Sequence, residues 1–435
     1  MNLGQDSFLA ELPGGWTFDR FKDVAMLRNE RTGEASEVED YLELEDLESG
    51  TGCVLNRRNT MDVVSDVTRF KKGDVLFGKL RPYLEKYYVA EFDGKCTGEI
   101  LAFRPERIES RFLFYCLASS WFIERCNLLA YGAKMPRVNW PTQLAQFNLP
   151  LPPLPEQQRI AAYLDASCAA IDAAVAAKRR QLETLDSLRK ETVTRAITRG
   201  LKPSTQTKPS GEDWLGEIPA HWSAPCLKRL LREPLTYGLN EAAELEERDL
   251  PRYLRITDFD DDGNLREDTF RSLPREIARE ALLEPSDVLF ARSGATVGKT
   301  FMFRNYDGEA CFAGYLIRAR TLLWKLDPLF LYLFTKSTAY ESWKNLIFTR
   351  ATIQNISAAK YNYLAIPLPP LDEQYAIVAH VEEKSAEFHS LTACIESQIA
   401  TLTAYRKSLI HECVTGQRRI TEADVRRTPD RGNLS

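Results

Sequence analysis

The segment from Gly294 to Thr300 is the part of this sequence that most resembles a site for nucleotide chemistry. A phosphate-binding P-loop has four residues between its two glycines, because that length lets the backbone amides surround the phosphates. Here only three residues separate Gly294 from Gly298, and Ser293 stands where the first glycine belongs. The apolar residues that follow predict a strand where the motif requires a helix. We therefore do not expect this chain to hydrolyse a nucleotide.

Other catalytic and metal-binding signatures are incomplete as well. A DNA methyltransferase signature would place Asn or Asp before Pro-Pro and an aromatic residue after it, whereas both Pro-Pro pairs here lie between leucines. A Cys–His nucleophile stays open, although no residue favours it. We predict a chain without catalytic residues and without a metal site. The histidines show no metal-ligand spacing with cysteine or carboxylate; they are His221, His380, His389 and His411.

Composition predicts a cytoplasmic protein with more than one domain. The 435 residues exceed what a single core needs, and 44% of them are hydrophobic. No apolar run looks long enough to cross a bilayer, and nine cysteines without a Cys-x-x-Cys pair fit a reducing compartment. The net charge of −5 means that any binding to nucleic acid must depend on local patches. One such patch lies between Arg69 and Lys86, where basic residues outnumber acidic ones.

Three sequence blocks occur twice in the same order, which constrains the elements that hold any site. Chance can supply one such pair, but not three in register, so the chain contains two copies of one unit. The blocks are Glu11–Trp16 with Glu217–Trp222, Asp74–Phe77 with Asp287–Phe290, and Leu149–Gln157 with Ile366–Gln374.

Each copy combines a globule with a long helix. Short apolar runs and turn signals predict a mixed α/β (α+β) globule. After the Pro-Pro pair, the chain from Glu156 is free of proline and glycine up to Gly200, which predicts one long helix. Each helix carries an apolar stripe, so we expect the two helices to pair as an antiparallel coiled coil. The predicted pairing residues are Ile160, Leu164, Ile171, Leu182 and Leu185 in the first helix, and Ile377, Val381, Phe388, Ile399 and Leu402 in the second.

These patterns predict six segments along the chain. Two of them are globules, two are helices, one is an exposed linker by composition, and the last is a polar, frayed tail. The predicted bounds are 1–150 for the first globule, 151–200 for the first helix, 201–212 for the linker, 213–367 for the second globule, 368–416 for the second helix and 417–435 for the tail.

The repeated blocks, together with the segment Leu289–Lys299, resemble the DNA specificity subunit of type I restriction–modification systems. The resemblance implies that each globule is a target recognition domain for one half of a split, asymmetric DNA sequence. It implies that the helices form an antiparallel spacer that docks two methyltransferase subunits, with restriction subunits joining them. It further implies a non-catalytic targeting chain that binds no cofactor itself. S-adenosylmethionine, ATP and Mg²⁺ are then expected on partner subunits.

Two pairs of loops are the predicted contacts with double-stranded DNA. One pair follows the matched Asp-Val-Leu-Phe strands, and the other precedes the proline-rich blocks; Arg and Lys suit guanine, and Asn and Gln suit adenine. The alternative for each is an ordinary charged loop or a turn cap. The candidates are Lys79, Arg81, Tyr83, Lys134, Arg137 and Asn139 in the first copy, and Arg292, Ser293, Thr296, Lys299, Thr352, Gln354 and Asn355 in the second.

A different class of function stays open, namely a structural adaptor with two protein-binding globules on a coiled-coil rod and no contact with DNA. The acidic net charge favours the adaptor. The basic stretch between Arg69 and Lys86 and the resemblance favour the DNA-binding subunit.

Overall fold

A computed structural model of the protein describes residues 12–29, 31–32, 40–59, 67–242, 244–260, 263–294, 296–349 and 355–427. The chain divides into two compact units. The first unit contains the residues up to Arg179 and those from Glu396 onward, and the second contains Arg180–Ile395. Each unit therefore holds one globule, the beginning of the helix that follows that globule and the end of the other long helix.

The first unit is built on a four-stranded antiparallel sheet with the order β2-β10-β7-β8 and a five-stranded sheet with the order β3-β6-β9-β4-β5. Strands β4 and β9 pair in parallel, and β1 pairs with β11 next to the long helix. These strands are β1 (Thr17–Arg20), β2 (Ala25–Leu27), β3 (Arg31–Thr32), β4 (Asp40–Leu42), β5 (Arg58–Asn59), β6 (Val67–Phe70), β7 (Val75–Gly78), β8 (Tyr87–Val89), β9 (Gly94–Thr97), β10 (Ile100–Pro105) and β11 (Asn148–Leu151). The helices are α1 (Phe21–Val24), α2 (Ser110–Ala118), α3 (Ser120–Leu129) and the long α4 (Leu154–Arg199).

The second unit repeats this topology. Its four-stranded sheet has the order β14-β19-β16-β17, and β15 pairs in parallel with β18, as β4 pairs with β9. The strands are β12 (Thr207–Pro209), β13 (Glu217–Pro219), β14 (Thr236–Tyr237), β15 (Arg252–Leu254), β16 (Val288–Ala291), β17 (Thr300–Met302), β18 (Ala310–Phe312) and β19 (Leu316–Ala319). The helices are α5 (Arg275–Ala278), α6 (Pro328–Phe334), α7 (Thr338–Thr349), α8 (Ala358–Asn362) and the long α9 (Leu371–Val414); α10 (Glu422–Arg427) returns to the first unit.

The predicted mixed α/β fold with an internal repeat and two long helices is confirmed. The repeated Asp-Val-Leu-Phe block forms β7 and β16, which are fully buried inner strands of the two equivalent sheets. An apolar strand with neighbours on both edges belongs in the middle of a sheet. The loops that follow β7 and β16 therefore leave the sheet at the same place in each unit.

A buried glutamine in each proline-rich block joins the long helix to its own globule. Gln157 donates from Nε2 to the Pro152 carbonyl at 2.8 Å and accepts from the Glu109 amide at 2.8 Å. Gln374 does the same with the Pro369 carbonyl, at 3.0 Å, and the Asp327 amide, at 2.8 Å. Glu109 and Asp327 are the N-caps of α2 and α6. The glutamine thus fixes the start of the long helix against the capping turn of a globule helix.

Both long helices begin three residues inside their predicted segments, at Leu154 and Leu371 instead of 151 and 368. Helix α4 begins at Leu154, with Pro155 in its first turn, where a missing amide proton costs no hydrogen bond. It ends at Arg199, and Gly200 follows with φ +77°, a left-handed conformation that suits glycine at a helix end.

Within the first unit, the beginning of α4 lies antiparallel to the end of α9. Asp172 pairs with Arg406 at 3.0 Å, and Arg159, earlier in α4, donates to the carbonyl of Ile420, which follows α9. In the second unit, the end of α4 and the beginning of α9 share one core that contains Ile197 and Ile377.

The apolar stripe serves the globules as well as helix pairing. We predicted all ten stripe residues as pairing residues, but the helix starts are fixed to their own globules and half of these side chains lie in globule cores. Ile160, Leu164 and Ile171 are buried in the first core, Ile377 and Val381 are buried in the second, Leu402 packs against the first, and Leu182, Leu185, Phe388 and Ile399 are partly exposed.

Three expectations from the sequence need correction. The linker segment 201–212 contains β12, which pairs with β13. The tail is not frayed up to Arg427, because Ile420 is buried in the first core and α10 follows it. Helix α4 contains an 18-residue stretch with a mean hydropathy of 1.5, long and apolar enough to cross a membrane by length and composition. Because Ile160 and Leu164 of α4 lie in the first core, we take α4 as a core helix.

Candidate nucleic-acid interface

Three segments of the first unit meet at the end of β7. The amide of Lys79, the first residue of the loop after β7, donates to the Glu99 carbonyl at 2.9 Å. The Lys79 carbonyl accepts from the Val138 amide at 3.1 Å, and the Arg81 amide donates to the Pro136 carbonyl at 2.7 Å. The loop after β7 is thus joined to the turn before β10 and to the segment before the proline-rich block. We call this place the first loop junction.

The second unit repeats two of these connections at the end of β16. The Arg292 amide donates to the Tyr315 carbonyl at 2.9 Å, and the Arg292 carbonyl accepts from the Ile356 amide at 2.9 Å. We call this place the second loop junction. The described parts of the two loops that the sequence indicated separately therefore lie side by side in each copy, and these two backbone hydrogen bonds are equivalent in both copies.

Left-handed backbone occurs at matched positions in both loops. Arg81 and Glu85 have φ 51°, and Gly294 and Gly298, at the equivalent positions, have φ +83° and +81°. For a residue other than glycine this conformation costs about 1–2 kcal/mol. In the first copy both side chains make contacts from this backbone. Arg81 Nη2 donates to the Lys134 carbonyl at 3.2 Å, and Glu85 accepts from the Nζ of Lys407 at 2.6 Å.

The predicted contact residues of the first copy surround the first loop junction and differ in their exposure and hydrogen bonding. Lys134 and Tyr83 are exposed, and Lys79 and Arg81 are half-buried. Asn139 accepts from the Thr142 amide at 3.1 Å and hydroxyl at 2.8 Å through its side-chain oxygen, so this oxygen caps a turn. The turn-cap alternative therefore describes the oxygen of this side chain in the free protein.

Arg137 is held by a carboxylate. Its Nε lies 3.0 Å from Glu99 Oε2, and its Nη2 lies 3.2 Å from Glu99 Oε1. These bonds raise the pKa of Arg137 further above its already high value. Nη1 donates to the Met135 carbonyl at 3.3 Å. The guanidinium plane is therefore fixed on one edge by Glu99.

The predicted residues of the second copy are also gathered at their junction. The Arg292 guanidinium lies 4.6 Å from the centre of the Tyr237 ring, a cation–π contact that orients it. Ser293 and Asn355 form a backbone bridge. The side-chain oxygen of Asn355 is buried, and in the described part of the chain it has no hydrogen-bond partner.

Two of the remaining candidates of the second copy lie among the described residues. Thr296 lies in the loop after β16, where its carbonyl accepts from the Lys299 amide at 2.9 Å, and Lys299 is exposed. Thr352 and Gln354 lie outside the described residues. The assignment of all thirteen candidates as DNA contacts stays a prediction.

The chemistry available at the two junctions consists of hydrogen-bond donors, acceptors and cations. Across the described ranges, no group of three His, Cys, Asp or Glu side chains could hold a metal ion. Guanidinium, ammonium, carboxylate and amide groups on loops above a rigid sheet suit the edges of bases and the phosphates of a duplex.

A family model described as the type I restriction modification DNA specificity domain matches residues 13–184 and 276–399 of this chain. The matched ranges include β7, β16 and both loops after them. The chain belongs to the type I restriction–modification DNA specificity family.

Relatives of the specificity family resemble this chain at low identity. The EcoDI specificity subunit of Escherichia coli is 25% identical over 243 residues, which is 55% of this chain and 49% of the relative. The EcoBI specificity subunit of Escherichia coli is 24% identical over 278 residues, covering 62% of this chain and 58% of the relative. The matches thus span about half the length of these relatives.

Two solved structures share the fold of this specificity-family chain. One, from work on complex assembly and conformational transition of the type I R-M system, has a TM-score of 0.76 at 22% identity and covers 94% of this chain and 100% of its own. The HsdS subunit from Thermoanaerobacter tengcongensis has a TM-score of 0.54 at 20% identity and covers 96% and 100%. These likenesses support the fold.

Sequence reasoning missed three side chains at the junctions of this specificity-family chain. Glu99 and Tyr315 each follow a glycine in the turn before the strand that pairs with the buried one, and Tyr237 lies under Arg292. The repeated glycine in that turn is the one sequence signal that could have indicated Glu99 and Tyr315. Tyr237 has no such signal, because its place depends on the pairing of β14 with β19.

Proposed function

We propose that this chain is the DNA-binding subunit that gives a type I restriction–modification complex its sequence specificity. Each globule binds one half of a bipartite target through its loop junction. The observation that carries the proposal is that one backbone junction occurs twice with different side chains, Arg137 in the first copy and Asn355 in the second. Because the backbone hydrogen bonds match and the side chains differ, we expect the two half-sites to differ in sequence. The whole target is then asymmetric.

The local charge of the first unit supports DNA binding despite the net charge of −5. Lys79, Arg81, Lys134 and Arg137 belong to segments that meet at one junction, and cations close to a duplex gain affinity by releasing counterions. We expect modest affinity from the isolated chain and tighter binding in the complex, where partner subunits add phosphate contacts.

The partners in this proposal are two methyltransferase subunits, docked on the long helices α4 and α9, and restriction subunits that join them. The chain itself is a non-catalytic, cytoplasmic targeting protein. S-adenosylmethionine, ATP and Mg²⁺ belong to the partner subunits. Family membership supports this assignment, and the names of the similar relatives, which are specificity subunits, agree with it.

The experiment is to purify the chain with the methyltransferase of its restriction–modification system and to map methylated adenines on a library of random duplexes. We expect methylation within one split, asymmetric sequence. Methylation without any sequence preference would contradict the proposal and would favour a structural adaptor. The methyltransferase alone is the control, and it should show no site selection.

A further inference from the structure

Three side-chain positions are equivalent in the two loop junctions by their hydrogen bonds. The first position is the residue directly after the buried strand. The second is the residue whose carbonyl accepts from the amide of the first. The third directly precedes the residue whose amide donates to the carbonyl of the first. These positions are Lys79, Glu99 and Arg137 in the first unit, and Arg292, Tyr315 and Asn355 in the second.

Side-chain chemistry changes between the copies at these positions, whereas the backbone does not. An ammonium becomes a guanidinium, a carboxylate becomes a phenol, and a guanidinium becomes an amide. A polar residue with a structural role is instead identical in the two copies. The glutamine that fixes each long helix is Gln157 in the first copy and Gln374 in the second. The changed positions are therefore those where the side chain, and not the frame, carries the function.

The Glu99 carboxylate bonds to Arg137 and still has acceptor sites for a further hydrogen bond. Its carboxylate accepts from Nε and Nη2 of Arg137, and two oxygens offer about four lone-pair sites, so acceptor capacity remains. The side chains of Glu99 and Arg137 are 31% and 35% exposed. Nη1 gives one proton to the Met135 carbonyl and Nη2 gives one to Glu99, so each nitrogen keeps a second proton that can bind guanine O6 or N7. Donors for guanine and an acceptor for the cytosine amino group thus lie side by side.

Tyr315 occupies the same position with different chemistry. It is 65% exposed beside Arg292, and a cavity of about 720 Å³ opens next to it. Leu239 and Ala313 contribute apolar walls to that cavity, and Ser293 contributes a hydroxyl. An exposed ring with an apolar surface behind it suits contact with the methyl group of thymine.

We propose that Glu99 and Tyr315 are specificity-determining residues, each for one half of the target, an assignment that rests on the proposed function. Glu99 selects a G·C pair in the first half-site by accepting from the cytosine amino group and by orienting Arg137 toward guanine. Tyr315 selects an A·T pair in the second half-site through the thymine methyl group.

The test compares full-length variants in complex with the methyltransferase subunits, by sequencing duplexes selected from a randomised pool. Glu99→Leu keeps the approximate size of the side chain and removes both acceptor oxygens, so the preference at one base pair of the first half-site should fall about 5- to 150-fold, the range of one good base contact. Tyr315→Ala should relax one base pair of the second half-site. The matched control is Glu106→Leu, which removes another carboxylate bonded to an arginine, Arg104, in the same unit.

Each variant carries an internal control, because the half-site bound by the other unit should keep its full preference. An unchanged preference in Glu99→Leu or in Tyr315→Ala would overturn the assignment of that residue, and a uniform loss on all sequences would overturn the whole inference. Both outcomes leave the proposed function standing. A wild-type complex without any preference would instead overturn the proposed function itself.

Discussion

Arg292 shows how a single side chain at a junction is held in one orientation. Its amide and carbonyl are both used in the frame, toward Tyr315 and Ile356, and its guanidinium is placed over the ring of Tyr237. A planar fork that is oriented before binding loses less conformational freedom when it meets a base edge. The residue type was recognisable from the sequence, but the ring that orients it was not, because Tyr237 lies far from Arg292 along the chain.

Replacing Arg292 with alanine should weaken binding to the second half-site by about 5- to 150-fold and leave the preference of the first half-site intact. Arg292→Lys keeps the charge but loses the planar fork, so it should retain affinity for DNA in general and lose base preference. Competition binding with duplexes altered in one half-site measures both effects. Arg304→Ala removes an exposed arginine from the same unit as a control. Equal losses on all sequences would make Arg292 a phosphate contact.

At the scale of elements, the long helices could be predicted and their attachments could not. Proline and glycine mark the ends of α4 because both act locally on the backbone. The role of Gln157 and Gln374 depends on the capping turns of α2 and α6, which are distant in sequence. For the same reason the sequence indicated two loops per copy but not the third segment of each junction, which contains Glu99 or Tyr315.

Gln374→Ala should lower the free energy of unfolding of the second unit by about 2–4 kcal/mol. The side chain is fully buried, and its removal leaves the Asp327 amide and the Pro369 and Lys325 carbonyls without their partner, in addition to a cavity. Gln157→Ala should have the matching effect on the first unit. Scanning calorimetry of the full chain follows both, with the exposed Gln181→Ala on α4 as the control. A loss below 1 kcal/mol for both variants would show that the glutamines do not fix the helices.

At the scale of the whole molecule, the two units share one backbone framework, and the proposed function depends on the side chains that differ between them. The two four-stranded sheets have the same strand order, and the same loops leave them. Even the left-handed loop positions match, although glycine fills them in one copy and Arg81 and Glu85 fill them in the other. Self-comparison of the sequence found the frame because buried strands and helix attachments tolerate few changes. It missed part of the proposed site because the residues of that site are the ones that differ.

If the two junctions share one backbone arrangement and their side chains determine base preference, that preference should be transferable from one junction to the other. The triple variant Lys79→Arg, Glu99→Tyr and Arg137→Asn gives the first junction the side chains of the second, so its half-site preference should move toward that of the second half-site. Mapping of methylated adenines on random duplexes measures this, and the reverse triple variant in the second unit is the matched control. Stable, folded variants that keep both original preferences would show that loop shape, and not these three side chains, determines which bases are bound. If only one of the two triple variants shifts its preference, the three side chains determine base preference in that unit. In the other unit, loop shape then determines it.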